Sequence, residues 1–172
     1  MHNEKTMNSV TRVNLSDHHF SGFIVWALLL LVLTACAHVP AAPKAESQAA
    51  KHFAPDVENG SIYVFRKSKF AGSAVDFPIQ LDGQAIGKIG SGTFFNIKTP
   101  PGQHDIVAYA PDAEYVRVLT TLEVEKGKLY FVELTLGPRL VIVEEQVGRK
   151  GVLKGKLLEI QPPTEKGPKM FQ

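Results

Sequence analysis

The sequence has one cysteine, Cys36, one tryptophan, Trp26, and no strong excess of either charge. A single cysteine permits no intramolecular disulfide, so any folded part must be held by its apolar core. A net charge of +2 gives no electrostatic footprint for nucleic acid. Trp26 lies in an N-terminal apolar run and is unavailable to a ligand surface. That run, Phe23 to Leu33 (FIVWALLLLVL), is shorter than the roughly 20 residues needed to span a bilayer. What remains has the balance of a globular protein, with 44% hydrophobic and 21% charged residues.

The pieces of the common catalytic and ligand sites are also missing. From Gly60 to Ile160 there is one histidine, His104, and it directly follows a Pro-Gly-Gln turn. Ser68, Ser73 and Ser91 stand outside any Gly-x-Ser-x-Gly elbow, so a hydrolase built on His104 lacks its nucleophile in sequence. Asp76, Asp82, Asp105 and Asp112 do not have the spacing of a calcium loop, and His104 has no second histidine near it for zinc. The glycines of Gly87 to Gly92 precede Thr93-Phe94-Phe95, which is strand sequence; a phosphate cradle needs a helix there. No catalytic residue, metal ligand or cofactor-binding residue is therefore assigned, and the chain reads as non-enzymatic.

The N-terminus carries the clearest motif. Leu33-Thr34-Ala35-Cys36 ends the apolar run and resembles the lipobox of bacterial lipoproteins. The resemblance implies cleavage between Ala35 and Cys36 and a diacylglycerol on the Cys36 sulfur. That covalent lipid would be the only prosthetic group. Ala37, rather than Asp, follows the cysteine, which in that family implies sorting to the outer membrane, with the domain facing the periplasm. The competing reading is an uncleaved signal anchor extending from Phe20 to Val39. Residues 1–35 are thus expected to be a signal peptide, and residues 36–59, rich in Ala, Pro, Lys and Glu, a lipidated flexible tether. A helical turn is expected from Ala45 to Phe53, between prolines.

From Gly60 the pattern changes to period 2. Ile62-Tyr63-Val64-Phe65 reads as a buried strand. Val75, Phe77, Ile79 and Leu81 alternate with polar residues, and Pro78 among them predicts an edge position or a bulge. Asp82-Gly83 predicts a tight hairpin. Further strands are expected at Gln84–Ile89, Thr93–Lys98, His104–Ala110, Tyr115–Glu125, Leu129–Leu136 and Arg139–Val147, the Leu129 strand pairing back on the one before it. Val152 to Ile160 reads as a short helix or a closing strand, with Gly151 and Gly155 weakening the helix. About eight short strands with turns every 8–12 residues predict an all-β, antiparallel sandwich over residues 60–160. Residues 161–172 read as a basic disordered tail.

Several stretches recur in a known order: Ile62-Tyr63-Val64-Phe65-Arg66; Leu81-Asp82-Gly83-Gln84-Ala85-Ile86-Gly87; Pro101-Gly102-Gln103-His104; and Glu125 to Val132. Together they resemble the bacterial lipoprotein domain known as domain of unknown function 2846, and the Asp-Gly to Pro-Gly-x-His part is similar to PEGA-type surface modules. The resemblance implies a small β-sandwich on an envelope lipoprotein, with no activity to carry over. Expected partners are the membrane, through the anchor, and an envelope protein or a glycan such as peptidoglycan. Glycan binding would need exposed aromatics among Tyr63, Tyr109, Tyr115, Tyr130, Phe94 and Phe95.

Overall fold

The alternating runs form nine strands in a computed structural model, which describes residues 40–110 and 113–161. They are β1 (Gly60–Arg66), β2 (Phe77–Leu81), β3 (Gln84–Ile89), β4 (Thr93–Thr99), β5 (Gly102–Ala110), β6 (Ala113–Val124), β7 (Leu129–Thr135), β8 (Arg139–Val143) and β9 (Lys156–Leu157). Two short helices, α1 (Lys44–Ala50) and α2 (Glu145–Leu153), flank them. One sheet runs in the order β8-β7-β1-β4-β9 and the other in the order β3-β2-β5-β6. Hairpins at β2–β3, β5–β6 and β7–β8 stay within a sheet, whereas the turns after β1, β3, β4 and β6 cross between sheets. An all-β sandwich is thus the fold.

Its pairing is mostly antiparallel, with two exceptions. β7 lies parallel to β1, Tyr63 opposite Phe131, and β9 lies parallel to β4. The hairpin expected between β6 and β7 is therefore not formed. Glu125 to Lys128 instead carries the chain to the other sheet, where Phe131 stacks on Tyr63 with ring centroids 5.1 Å apart. The Asp82-Gly83 hairpin is as expected: φ is 51° and 78°, positive at both positions as a type I′ turn requires. Pro78 lies in an interior strand, not at an edge. The register shifts between Ile79 and Gln80, and pairing with β5 begins only at Ile79, so Pro78 owes β5 no hydrogen bond.

Two apolar layers result. Between the sheets, Ile62, Val64, Ile79, Ile89, Phe95, Ile106, Val124 and Val132 form a largely aliphatic core. On the opposite face of the five-stranded sheet, Tyr63, Phe65, Phe94 and Phe131 form a second, aromatic core closed by Phe53 and Val152. This second layer corrects two expectations. The strand expected to run to Val147 ends at Val143, and Glu145 begins α2, with Arg149 Nε donating to Glu145 Oε1 at 2.7 Å one turn on. Gly148 and Gly151, which weaken the helix in isolation, are what let it approach. A Cβ on Gly148 would lie 2.1 Å from Phe131 Cγ, and one on Gly151 2.2 Å from Phe65 Cε2. Likewise the described part of the expected tether is packed rather than free. Ala50 and Phe53 are buried on the aromatic face, Tyr63 Oη donates to the Ala50 carbonyl at 2.9 Å, and Ala41 bridges to Leu158.

Candidate functional site

The described residues form an open cleft of about 810 Å³, within the usual range of ligand sites. One wall is α1 and the chain just after it, with Glu46, Ala49, Ala50 and Ala54. The floor is the outer face of β1 and β4, with Ser61, Tyr63, Asn96 and Lys98. The third side is the chain leaving β9, Leu158 to Ile160. Outward-facing positions of a strand alternate, so Asn96 and Lys98 share a face with Phe94, which the aromatic core covers. Beyond that cover the same face becomes polar.

The charges of the cleft are unequally satisfied. Lys98 Nζ lies 2.9 Å from Asp56 Oδ2. The other oxygen of Asp56 accepts from the Glu58 and Asn59 backbone N–H groups at 3.0 Å each. The Lys98 ammonium first, and these N–H groups next, hold the Asp56 carboxyl well below the usual carboxylate range. Glu46 and Glu159 line the cleft without a counter-ion, and Asn96 Oδ1 is buried with no hydrogen-bond partner among the described residues. An orphan buried acceptor costs stability and calls for an explanation. Neither Asp56 nor Asn96 stood out in the sequence; only the Pro55-Asp56 turn composition hinted at the former.

His104 does meet an acid. Its Nδ1 lies 2.6 Å from Asp82 Oδ2, and its Nε2 lies 2.9 Å from the Pro100 carbonyl. Both ring nitrogens thus face acceptors, which suits the imidazolium. Burial pulls the His104 pKa down, but the Asp82 carboxylate and the Pro100 carbonyl outweigh it and raise it. Burial likewise pushes Asp82 up, and the bonds from His104 and the Asp105 N–H carry it below its ordinary value. The nearest hydroxyl is the buried Thr99 Oγ1, 3.3 Å from Nε2, and no serine joins the group. Both ring nitrogens are thus engaged by acceptors of the fold, and while the ring is protonated it has no lone pair with which to activate a nucleophile. This trio ties the β2–β3 turn to the β4–β5 turn.

Arg66 is a second structural cation that the sequence did not reveal. It is buried at the end of β1, where Nη2 donates to the Gly72 carbonyl at 2.7 Å and Nη1 to that of Val75. Its plane lies over Phe77, 5.0 Å from the ring centroid. The loop after β1 is wrapped around it.

Of the expected aromatics, Tyr63, Phe94 and Phe95 are buried. Tyr130 Oη accepts from the Glu125 N–H and Tyr109 Oη donates to Gln80 Oε1. Tyr109 and Tyr130 are half-buried, and the Tyr115 side chain lies outside the described part. Ala35 and Cys36 also lie outside the described residues. Among those described, no group of three or more His, Cys, Asp or Glu side chains is placed to hold a metal. No described helix is long and apolar enough to cross a membrane.

Fold and cleft together define a small β-sandwich whose outer face is capped by helices and partly open. Residues 56–145, just over half the chain, match the family described as "Protein of unknown function (DUF2846)". A relative, an uncharacterized protein of Haemophilus influenzae, is 32% identical over 132 residues, covering 72% of this chain and 76% of that protein. The chain belongs to the DUF2846 family.

Proposed function

We propose that the protein is a lipid-anchored envelope lipoprotein whose sandwich is a non-enzymatic binding or accessory module. The observation that carries the anchor is Leu33-Thr34-Ala35-Cys36 at the end of an apolar run of signal-peptide length. Buried acyl chains contribute about 0.8 kcal/mol per CH₂, and two or more make attachment stable. On this reading Cys36 carries the lipid, the signal is cut after Ala35, and the domain faces the periplasm from the outer membrane. The binding role is supported by the open cleft with its unpaired polar groups, and by a histidine whose two ring nitrogens both face acceptors of the fold. The rival reading within the same class, sugar stacking, loses Tyr63, Phe94 and Phe95 to the core.

The test is Cys36→Ser in the native host, with membrane fractionation and incorporation of labelled palmitate. The variant is expected to keep its signal uncut and to take up no label. A Cys36→Ser protein that is processed and membrane-bound like the wild type rules out the lipoprotein.

A further inference from the structure

The cleft contains an unused strand edge. Gly92 and Phe94 offer their carbonyls to the N–H groups of Lys156 and Leu158, each at 2.9 Å, so the even positions of β4 point toward β9. Backbone groups alternate sides along a strand, so Asn96 and Lys98 point the same way. β9 has left by then. The Glu159 N–H donates to Pro40 and the Gln161 N–H to Ile86, on the other sheet. Among the described residues no strand pairs with β4 beside Asn96 and Lys98. An open edge of this kind is a template for an added strand. It lies in a cleft whose α1 wall presents Ala49 and Ala50 beside Glu46, small side chains that leave room for those of an incoming strand.

The acceptors left unmatched around this edge outnumber the donors, since the Tyr63 hydroxyl is already given to the Ala50 carbonyl. Asn96 Oδ1 is an acceptor without a donor, and Glu46 and Glu159 are carboxylates without a cation. The one lining cation, Lys98, is neutralised by Asp56. We propose that the cleft binds an extended peptide segment of a partner protein, which adds to the β4 edge and places a lysine or arginine against Asn96, Glu46 and Glu159. Backbone pairing supplies affinity, and the acceptor cluster selects the basic residue. This names the partner class for the binding module proposed above and rests on that reading, but not on the lipid.

The test uses the full chain in an uncharged detergent, where anchoring plays no part. The probe is a labelled acetyl-Val-Lys-Val-Lys-Val-amide, followed by fluorescence anisotropy. It is expected to bind at least tenfold more tightly than the same peptide with Glu for Lys. Methylating its alternate backbone nitrogens is expected to weaken binding at least tenfold. Glu159→Gln, an exposed change, should shrink the preference for Lys over Glu about threefold. Asn96→Val should weaken binding at least tenfold while raising the Tm by a few degrees, because it removes an orphan acceptor. A structural role for Asn96 would lower the Tm instead. Absence of binding by any of these peptides overturns the proposal, as does equal binding of the Glu peptide or the methylated peptide. So does unchanged binding by both variants. A failed Cys36→Ser experiment would leave all of these readouts intact.

Discussion

The space between the sheets and the space beneath the helices bury opposite faces of the same strands, but with different chemistry. Between the sheets, aliphatic side chains from seven of the strands interdigitate, with Phe95 the largest fully buried ring among them. Beneath the helices, Tyr63 of β1 stacks on Phe131 of β7 and tilts against Phe94 of β4, with Phe65 beside them, and a few residues of α1 and its following turn, α2 and β9 close the layer, Phe53 meeting Phe131 edge-on. The first core needs only alternation, which aliphatic side chains supply at any register that keeps their face inward. The second needs particular close approaches, because α2 reaches the rings only where Gly148 and Gly151 carry no Cβ. The aliphatic layer therefore reads as the part that sets the fold. The aromatic layer fixes how α1, α2 and β9 sit, and with them the cleft.

This division can be broken in order of expected effect. Phe95→Ala empties the centre of the inter-sheet core and should cost about 3–5 kcal/mol, seen as a lower urea midpoint with cooperative loss of both sheets. Arg66→Leu strands the Gly72 and Val75 carbonyls and should cost about 2 kcal/mol. Limited trypsin digestion should then cut at Lys67 and Lys69 first, with the sheets still intact. Gly148→Ala forces a Cβ into Phe131 and should cost about 1–3 kcal/mol despite the better helix propensity. Its mark should be faster amide exchange in α2 with the inter-sheet strands still protected. Equal loss of protection in both places would show that the two layers are one cooperative unit.

The smallest effect is the pH dependence of the His104–Asp82 tie, worth under about 1 kcal/mol because the Asp82 carboxylate is half-exposed. His104 has a raised pKa in the folded state, so its contribution is complete below about 6.5 and is lost as pH rises through the folded value. Asp82 has a lowered one, so its contribution holds above its ordinary range and is lost as pH falls through the folded value. His104→Gln should flatten the alkaline arm of a Tm-against-pH curve and also weaken the Asp82 part of the acid arm, leaving the part set by Asp56 unchanged.

Much of the strand pattern was legible because a half-buried strand must alternate and a tight turn must use Asp-Gly or Pro-Gly. β2, β3 and β5 appear where their patterns put them. The strand reading of Val143 to Val147 failed because β-branched residues favour a strand locally, and only contact with Phe131 and Phe65 rewards a helix containing two glycines. The cleft was not legible at all. Asn96 looks like an ordinary outward residue of TFFNIK until β9 is seen to stop beside Phe94.

By itself the sequence determined an all-β sandwich, the Asp82-Gly83 turn and a motif at Cys36, each set by residues adjacent in the chain. Tertiary structure decided the parallel partnership of β1 with β7, the seating of both helices and the open edge of β4. Those features depend on which distant surfaces meet, and no local propensity encodes where a neighbouring strand ends.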